Sequence, residues 1–211
     1  MEPRIYQLMP KIRQNGGDNP IVFLDTGAII DFEKEARLWH RKDPSYGSKW
    51  YEELTKSFRT FISEGAMRET SRHHKECLVN RYPEISCETH EIMASLHQNY
   101  CKFLKEIKPG SINFDTARFD TYWASALSFE NNEKKGVLDI ISNVDKETVE
   151  TATFLRYAFD PYNQPITSCT IISPDDHLVE TVKTLTDGNP EVRIKFGDFG
   201  YNNIKVVNSR F

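Results

Sequence analysis

Four short apolar runs, "IVFL" at 21–24, "TFI" at 60–62, "TII" at 170–172 and "IKVV" at 204–207, are separated by segments of helical period in a chain of 211 residues. Runs this short and this uniformly apolar suit strands buried on both faces, and such strands occur in parallel sheets whose crossover connections are helices. The fold class expected is therefore α/β, a parallel sheet between helical layers. The length suits one large domain, or one domain with an elaborate insertion.

The intervening segments support that architecture. In "SCETHEIMASLHQNYCKFLKEI", residues Ile92, Leu96, Tyr100, Phe103, Leu104 and Ile107 share one helical face, and Pro109-Gly110 supplies the stop. Trp50, Tyr51, Leu54 and Phe58 form a second apolar stripe, and Phe119, Tyr122, Trp123, Ala126 and Leu127 a third. These aromatics are read as core. Helix starts are expected near Ser63, Asp145 and Ser173, all good N-cap residue types. The segments 131–136 and 160–165 are read as loops within one domain, and Gly16, Gly17 and Pro20 as a loop before the first strand.

Composition narrows the function classes. With 27 Lys and Arg against 31 Asp and Glu, the formal net charge is -4, so no overall basic field announces nucleic-acid binding. A polyanionic partner would have to be met by a local patch or by metal ions. The cysteines Cys77, Cys87, Cys101 and Cys169 lack the paired spacing of a zinc ribbon, and are expected to be reduced thiols of a cytoplasmic protein. No apolar run in the first twenty residues suits a signal peptide or membrane span, so no membrane association is expected.

The first strand runs straight into Asp25. A carboxylate at the rim of a core gains little unless it binds something. Three more acids occupy comparable places: Glu69 in "FISEGAMRET", Asp145 in "VDKETVETA" and Asp175 after "TIISP". Each alone suits a structural role: Asp25 and Asp145 as helix caps, Asp175 as a favourable first-turn charge, and Glu69 as an ordinary exposed helix residue. Taken together they point elsewhere. In a parallel sheet Asp25 and Asp175 share the carboxyl edge where open α/β sheets bind ligands, and Glu69 lies one to two helical turns beyond Ile62. Converging carboxylates repel one another unless a cation compensates, and a hard divalent ion such as Mg²⁺ or Mn²⁺ is the natural one.

These residues resemble the motifs of the PIN-domain nucleases. "IVFLDTGAIID" resembles that family's first-strand motif, and "FISEGAMRE" the second, which carries its Glu. "VDKETVETA", with Asp145 and Ala152, is similar to the third, and "TIISPDDHL", with Ser173 and Asp175, to the fourth. The resemblance implies a three-layer α/β/α PIN-like fold over residues 1–211. It treats residues 1–19 as an N-terminal extension and about 84–136 as an enlarged helical insertion. Glu147 and Glu150 compete with Asp145 for the third position, Asp176 competes with Asp175, and His177 stands where many members carry a further acid.

The resemblance also implies an activity: a Mg²⁺- or Mn²⁺-dependent phosphodiesterase, an endonuclease acting on single-stranded or structured RNA and leaving 5′-phosphate and 3′-hydroxyl ends. Asp25, Glu69, Asp145 and Asp175 would be its catalytic and metal-binding acids, with Asp176 a further metal ligand. Thr26 and Ser173 would orient carboxylates or water. Arg72 and His73, in the basic stretch "RETSRHHK", would meet a phosphate. The partner expected is nucleic acid, RNA ahead of DNA, with room for a protein partner or a second copy of the chain.

Four other readings compete with this one. A haloacid-dehalogenase-type phosphatase needs a second Asp where this chain has Gly27, and a dinucleotide binder needs a glycine fingerprint that is missing after the first strand. A zinc hydrolase signature is likewise lacking around His73 and His74. The rival that survives is non-enzymatic: a PIN-like fold that binds nucleic acid or protein as a scaffold. "RLWHRK", at 37–42, mixes cations with Trp39 as a single-strand platform does, but is better read as a packed Trp among wetted charges.

Overall fold

The computed structural model describes residues 3–16, 20–40, 42–43, 46–77, 83–109, 124, 143–155, 158–166, 168–187 and 204–210. At its centre is a four-stranded sheet, every pair parallel: β1 (Ile21–Leu24), β2 (Arg59–Phe61), β5 (Cys169–Ser173) and β6 (Ile204–Asn208). The spatial order is β2-β1-β5-β6. All four expected runs are strands, with ends displaced by no more than one residue. A two-stranded antiparallel ladder, β3 (Lys108–Pro109) with β4 (Ala158–Phe159), lies outside that sheet.

Side chains alternate across the sheet with period two and so build two cores. Ile21, Phe23, Phe61, Ile171 and Ile204 face one way, against Tyr100 and Phe103 of α5 (Pro83–Glu106), Val149, Ala152 and Leu155 of α6 (Asn143–Leu155), and Leu178 and Val182 of α7 (Asp176–Asp187). Val22, Leu24, Ile172 and Val207 face the other, against α1 (Arg4–Gly16), α2 (Thr26–Trp39), α3 (Tyr46–Ser57) and α4 (Glu64–Cys77). The molecule is thus a mixed α/β fold with helices on both faces. Phe23 and Trp50 are among its largest fully buried side chains. Burying a large apolar side chain is worth ~1.5–3 kcal/mol, so each of these two stabilises its core.

Local chemistry explains the helix boundaries. Ser63 caps α4, its Oγ accepting the Ala66 N–H at 3.1 Å. Asp175 caps α7, its Oδ1 accepting the His177 N–H at 2.8 Å. The expected start near Ser173 therefore falls two residues later, because Ser173 is still in β5. Helix α6 begins at Asn143, which leaves Asp145 inside the first turn rather than at the cap. The long helix begins at Pro83, three residues before the expected start, Pro being well suited to a first helical position.

The segments expected as an N-terminal extension and a helical insertion contribute to the cores. Residues Ile5, Leu8, Met9 and Ile12 of α1 are buried against the sheet, so the N-terminal segment is a packed helix that runs through Pro10. Within the span 84–136, α5 sends Ile92, Met93 and Leu96 into one core and Tyr100 and Phe103 into the other. The third apolar stripe, from Phe119 to Leu127, and the 131–136 loop lie outside the described residues apart from Ala124. Segment 160–165 is a turn, with Asn163 at φ 65°. Cys87, Cys101 and Cys169 are free thiols. No described helix is long and apolar enough to cross a membrane.

Candidate active site

Strand order reverses at β1, with β2 on one side and β5 on the other. The carboxyl edge at such a switch point is where open α/β sheets form a ligand crevice. Asp25 sits at that edge, directly after β1, and its N–H extends the sheet by donating to the Ile172 carbonyl at 3.0 Å. It occupies the N-cap position of α2 with extended backbone, φ -75° and ψ 156°, yet its side chain makes no cap hydrogen bond. The capping explanation of this acid thus fails on geometry.

The Asp25 carboxylate is held from the neighbouring strand. Ser173 donates its hydroxyl to Asp25 Oδ2 at 2.8 Å. The same Oγ accepts the Asp175 N–H at 3.1 Å, so one hydroxyl fixes the first acid and the backbone of the fourth. Thr26, the first residue of α2, donates to Glu69 Oε2 at 2.8 Å and thereby ties α4 to the same edge. Close backbone approach completes the wall: a Cβ on Gly27 would stand 2.5 Å from Pro174 Cγ and 2.8 Å from its Cδ. Only glycine lets α2 and the β5–α7 turn come this near.

An open cleft of about 600 Å³ results, lined by Asp25, Thr26, Glu69, Asp145, Asp175 and Arg210 among others. Asp25 and Asp145 are buried, at 6% and 7% exposure, which makes their charges costly. Burial, then the charge of Asp145 and more weakly that of Glu69, push the Asp25 carboxyl up to about 7, against the opposing hydrogen bonds from Ser173 and Thr26. A carboxyl in this state gains from any cation that enters.

The four catalytic candidates Asp25, Glu69, Asp145 and Asp175 all line this cleft, together with Thr26. Ser173 lies buried behind it, positioning Asp25. Asp176 reaches the rim but is exposed and accepts a hydrogen bond from Asn208 Nδ2. Arg72 lines a second, adjoining cleft of about 360 Å³ that also contains Glu69, whereas His73 lines neither. Glu147 points to the start of α4, where its Oε1 accepts the Gly65 N–H at 3.0 Å. That bond, and Asp145's place in the cleft, separate the two rivals for the third position; Glu150 lines neither cleft.

Arg210 was not anticipated. Its signal is positional: it lies two residues beyond β6, and any residue just past a strand of this parallel sheet shares an edge with Asp25.

The acids of the cleft offer hard oxygen donors, the type that Mg²⁺ and Mn²⁺ take, and His177 lines the same cleft. Among the described residues, however, no three His, Cys, Asp or Glu side chains converge closely enough to clasp an ion directly. The carboxylate chemistry and charge fit a hard divalent ion of the kind that keeps part of its water shell. No family model, curated protein or solved structure matches this chain.

Proposed function

We propose that the protein is a divalent-metal-dependent phosphodiesterase of PIN-like type, an endonuclease acting on single-stranded or structured RNA. The observation that carries this reading is Asp25: an N-cap acid at the switch point whose side chain does not cap. It is instead buried beside Asp145 and Glu69 and held by Ser173. A purely structural Asp would be placed where its charge is satisfied; this one is placed where charge is disfavoured until a cation arrives.

Asp25, Glu69, Asp145 and Asp175 would hold Mg²⁺ or Mn²⁺, in part through water. When bound, the ion supplies a water of lowered pKa and stabilises the departing oxygen of an in-line displacement at phosphorus. The chain's own residues set the geometry. Ser173 fixes the rotamer of Asp25, Thr26 fixes that of Glu69, and Gly27 brings α2 against Pro174 so that both arrive at one cleft. Arg72, exposed in the adjoining cleft, supplies a guanidinium for a substrate phosphate. Asp176 belongs to this reading as a rim acid rather than a principal ligand.

The test is cleavage of labelled single-stranded RNA, structured RNA and single-stranded DNA with Mg²⁺, Mn²⁺ or chelator, by wild type and Asp25→Asn. Metal-dependent cleavage lost in the variant is the expected result. One observation favours the scaffold reading: three metal-binding side chains do not converge on a point among the described residues. Calorimetric titration of Mn²⁺ distinguishes the two, since a scaffold would take up no ion at Asp25 and wild type and Asp25→Asn would titrate alike.

A further inference from the structure

The two clefts meet at Glu69, the acid that lines both. Each holds an arginine of different standing from its neighbours. Arg68, in the second cleft, is already paired, with Glu64 at 3.3 Å and Glu147 at 3.9 Å. Arg72 in the second cleft and Arg210 in the first make no salt bridge to any described residue, and both are exposed. Arg210 enters the cleft from the end of β6, its backbone fixed by its N–H bond to Asn208 Oδ1 at 2.7 Å. Asn208 in turn donates to Asp176 at the head of α7, so the segment bearing Arg210 is anchored to the cleft's own rim.

A guanidinium beside several carboxylates can pair with one of them, because opposite charges at contact distance attract. Arg210 lines the acidic cleft without doing so. A phosphate oxygen is the ligand that its planar fork matches and that the acids themselves repel.

We infer that Arg210 is a phosphate-positioning residue, and that Arg210 and Arg72 hold phosphates of one nucleic-acid strand on the two sides of Glu69. The inference rests on the nuclease reading and deepens it. A strand held in both clefts presents an internal phosphodiester to the acids at their junction. The substrate class is therefore a single-stranded polynucleotide several nucleotides long, engaged away from its ends, rather than a mononucleotide or a terminal phosphate ester.

The test uses the full chain carrying Asp25→Asn, so that binding is read without cleavage, in Mg²⁺ and with labelled oligonucleotides of two to twelve nucleotides. Affinity is expected to rise with length until both clefts are spanned. Adding Arg210→Ala is expected to weaken binding of the longer strands about tenfold, to lower the slope of log affinity against log salt by about 0.7, the single-strand value for one phosphate contact, and to leave dinucleotides nearly unaffected. Arg210→Lys should recover part of the affinity, whereas a merely structural role would move neither the salt slope nor the length dependence. Unchanged affinity and slope in Arg210→Ala, while Arg72→Ala added to the same background lowers both, would overturn the role of Arg210 and leave the nuclease reading standing. In parallel, wild type is assayed for Mg²⁺-dependent cleavage of the twelve-nucleotide strand. Failure of wild type both to cleave and to bind would remove the nuclease reading and this inference together.

Discussion

Asp25→Asn is expected to make the metal-free protein more stable while it destroys activity. The folded-state carboxyl is raised from 3.8 to about 7, so between these values the folded protein holds a proton that the unfolded chain has released. Stability then falls as pH rises, by about 1.4 kcal/mol per pH unit, and levels off above the folded value. The whole interval corresponds to a ceiling of about 4 kcal/mol by that conversion, and a working range of about 2–4 kcal/mol allows for compactness of the unfolded chain. Asn keeps the shape and still accepts the Ser173 hydroxyl, but carries no charge to bury. For a chain of this length about 1 kcal/mol moves Tm by roughly 2–4 °C, so thermal unfolding near pH 8 in chelator should place the variant roughly 4–16 °C above wild type. Near pH 4 the gap should nearly close. Mg²⁺ at about a thousand times its Kd should cancel or invert the gap, since a ligand at that level stabilises the binding-competent protein by about 4.1 kcal/mol. A variant no more stable than wild type near pH 8, or a gap independent of pH, would refute the claim that Asp25 is held charged at a cost.

Three further outcomes follow from the same geometry. Asp145→Asn should reduce metal-dependent turnover by about 100-fold or more, the upper range for groups that support a metal site. Glu147→Gln should leave turnover within a few-fold of wild type and cost about 0.3–1 kcal/mol at the α4 terminus; steady-state kinetics with the reverse ranking would show that the wrong acid had been placed in the cleft. Gly27→Ala should destabilise by about 1–3 kcal/mol through the clash with Pro174 and lower activity by displacing Asp25 and Thr26; chemical denaturation showing no loss would mean that the turn yields freely. Burial works against ionisation of Asp160, but the N–H groups of Gln164 and Tyr162 and the Arg59 guanidinium outweigh it and hold its carboxyl below the usual range. Its stabilisation is therefore present above the unfolded carboxyl value and lost as pH falls through the lower folded one. Asp160→Asn should be less stable than wild type at neutral pH, with urea midpoints converging in acid.

Short-range patterns dictate one part of this architecture. Largely apolar runs three to four residues long suit strands of a covered parallel sheet, so the sheet and its flanking helices were legible from "IVFL" and its three counterparts. Chain direction then places Asp25 and Asp175 at one edge, because parallel strands all end there. Ser63 was legible as a cap for the same reason: its hydroxyl acts on an N–H three residues away. The tertiary structure alone decided matters that depend on how one element is rotated against another. Asp145 and Glu147 are two residues apart on one helix and therefore point about 200° apart; only the packing of α6 on α4 directs one to the cleft and the other to Gly65. The α1 helix was hidden by Pro3 and Pro10, and is held by contacts with the sheet that outweigh the unfavourable Pro10. Thr26 meets Glu69, Ser173 meets Asp25, and Arg210 joins acids nearly a chain length away, because strands adjacent in space are distant in sequence. No local pattern encodes such meetings, since the energy that fixes them is the burial of both cores at once.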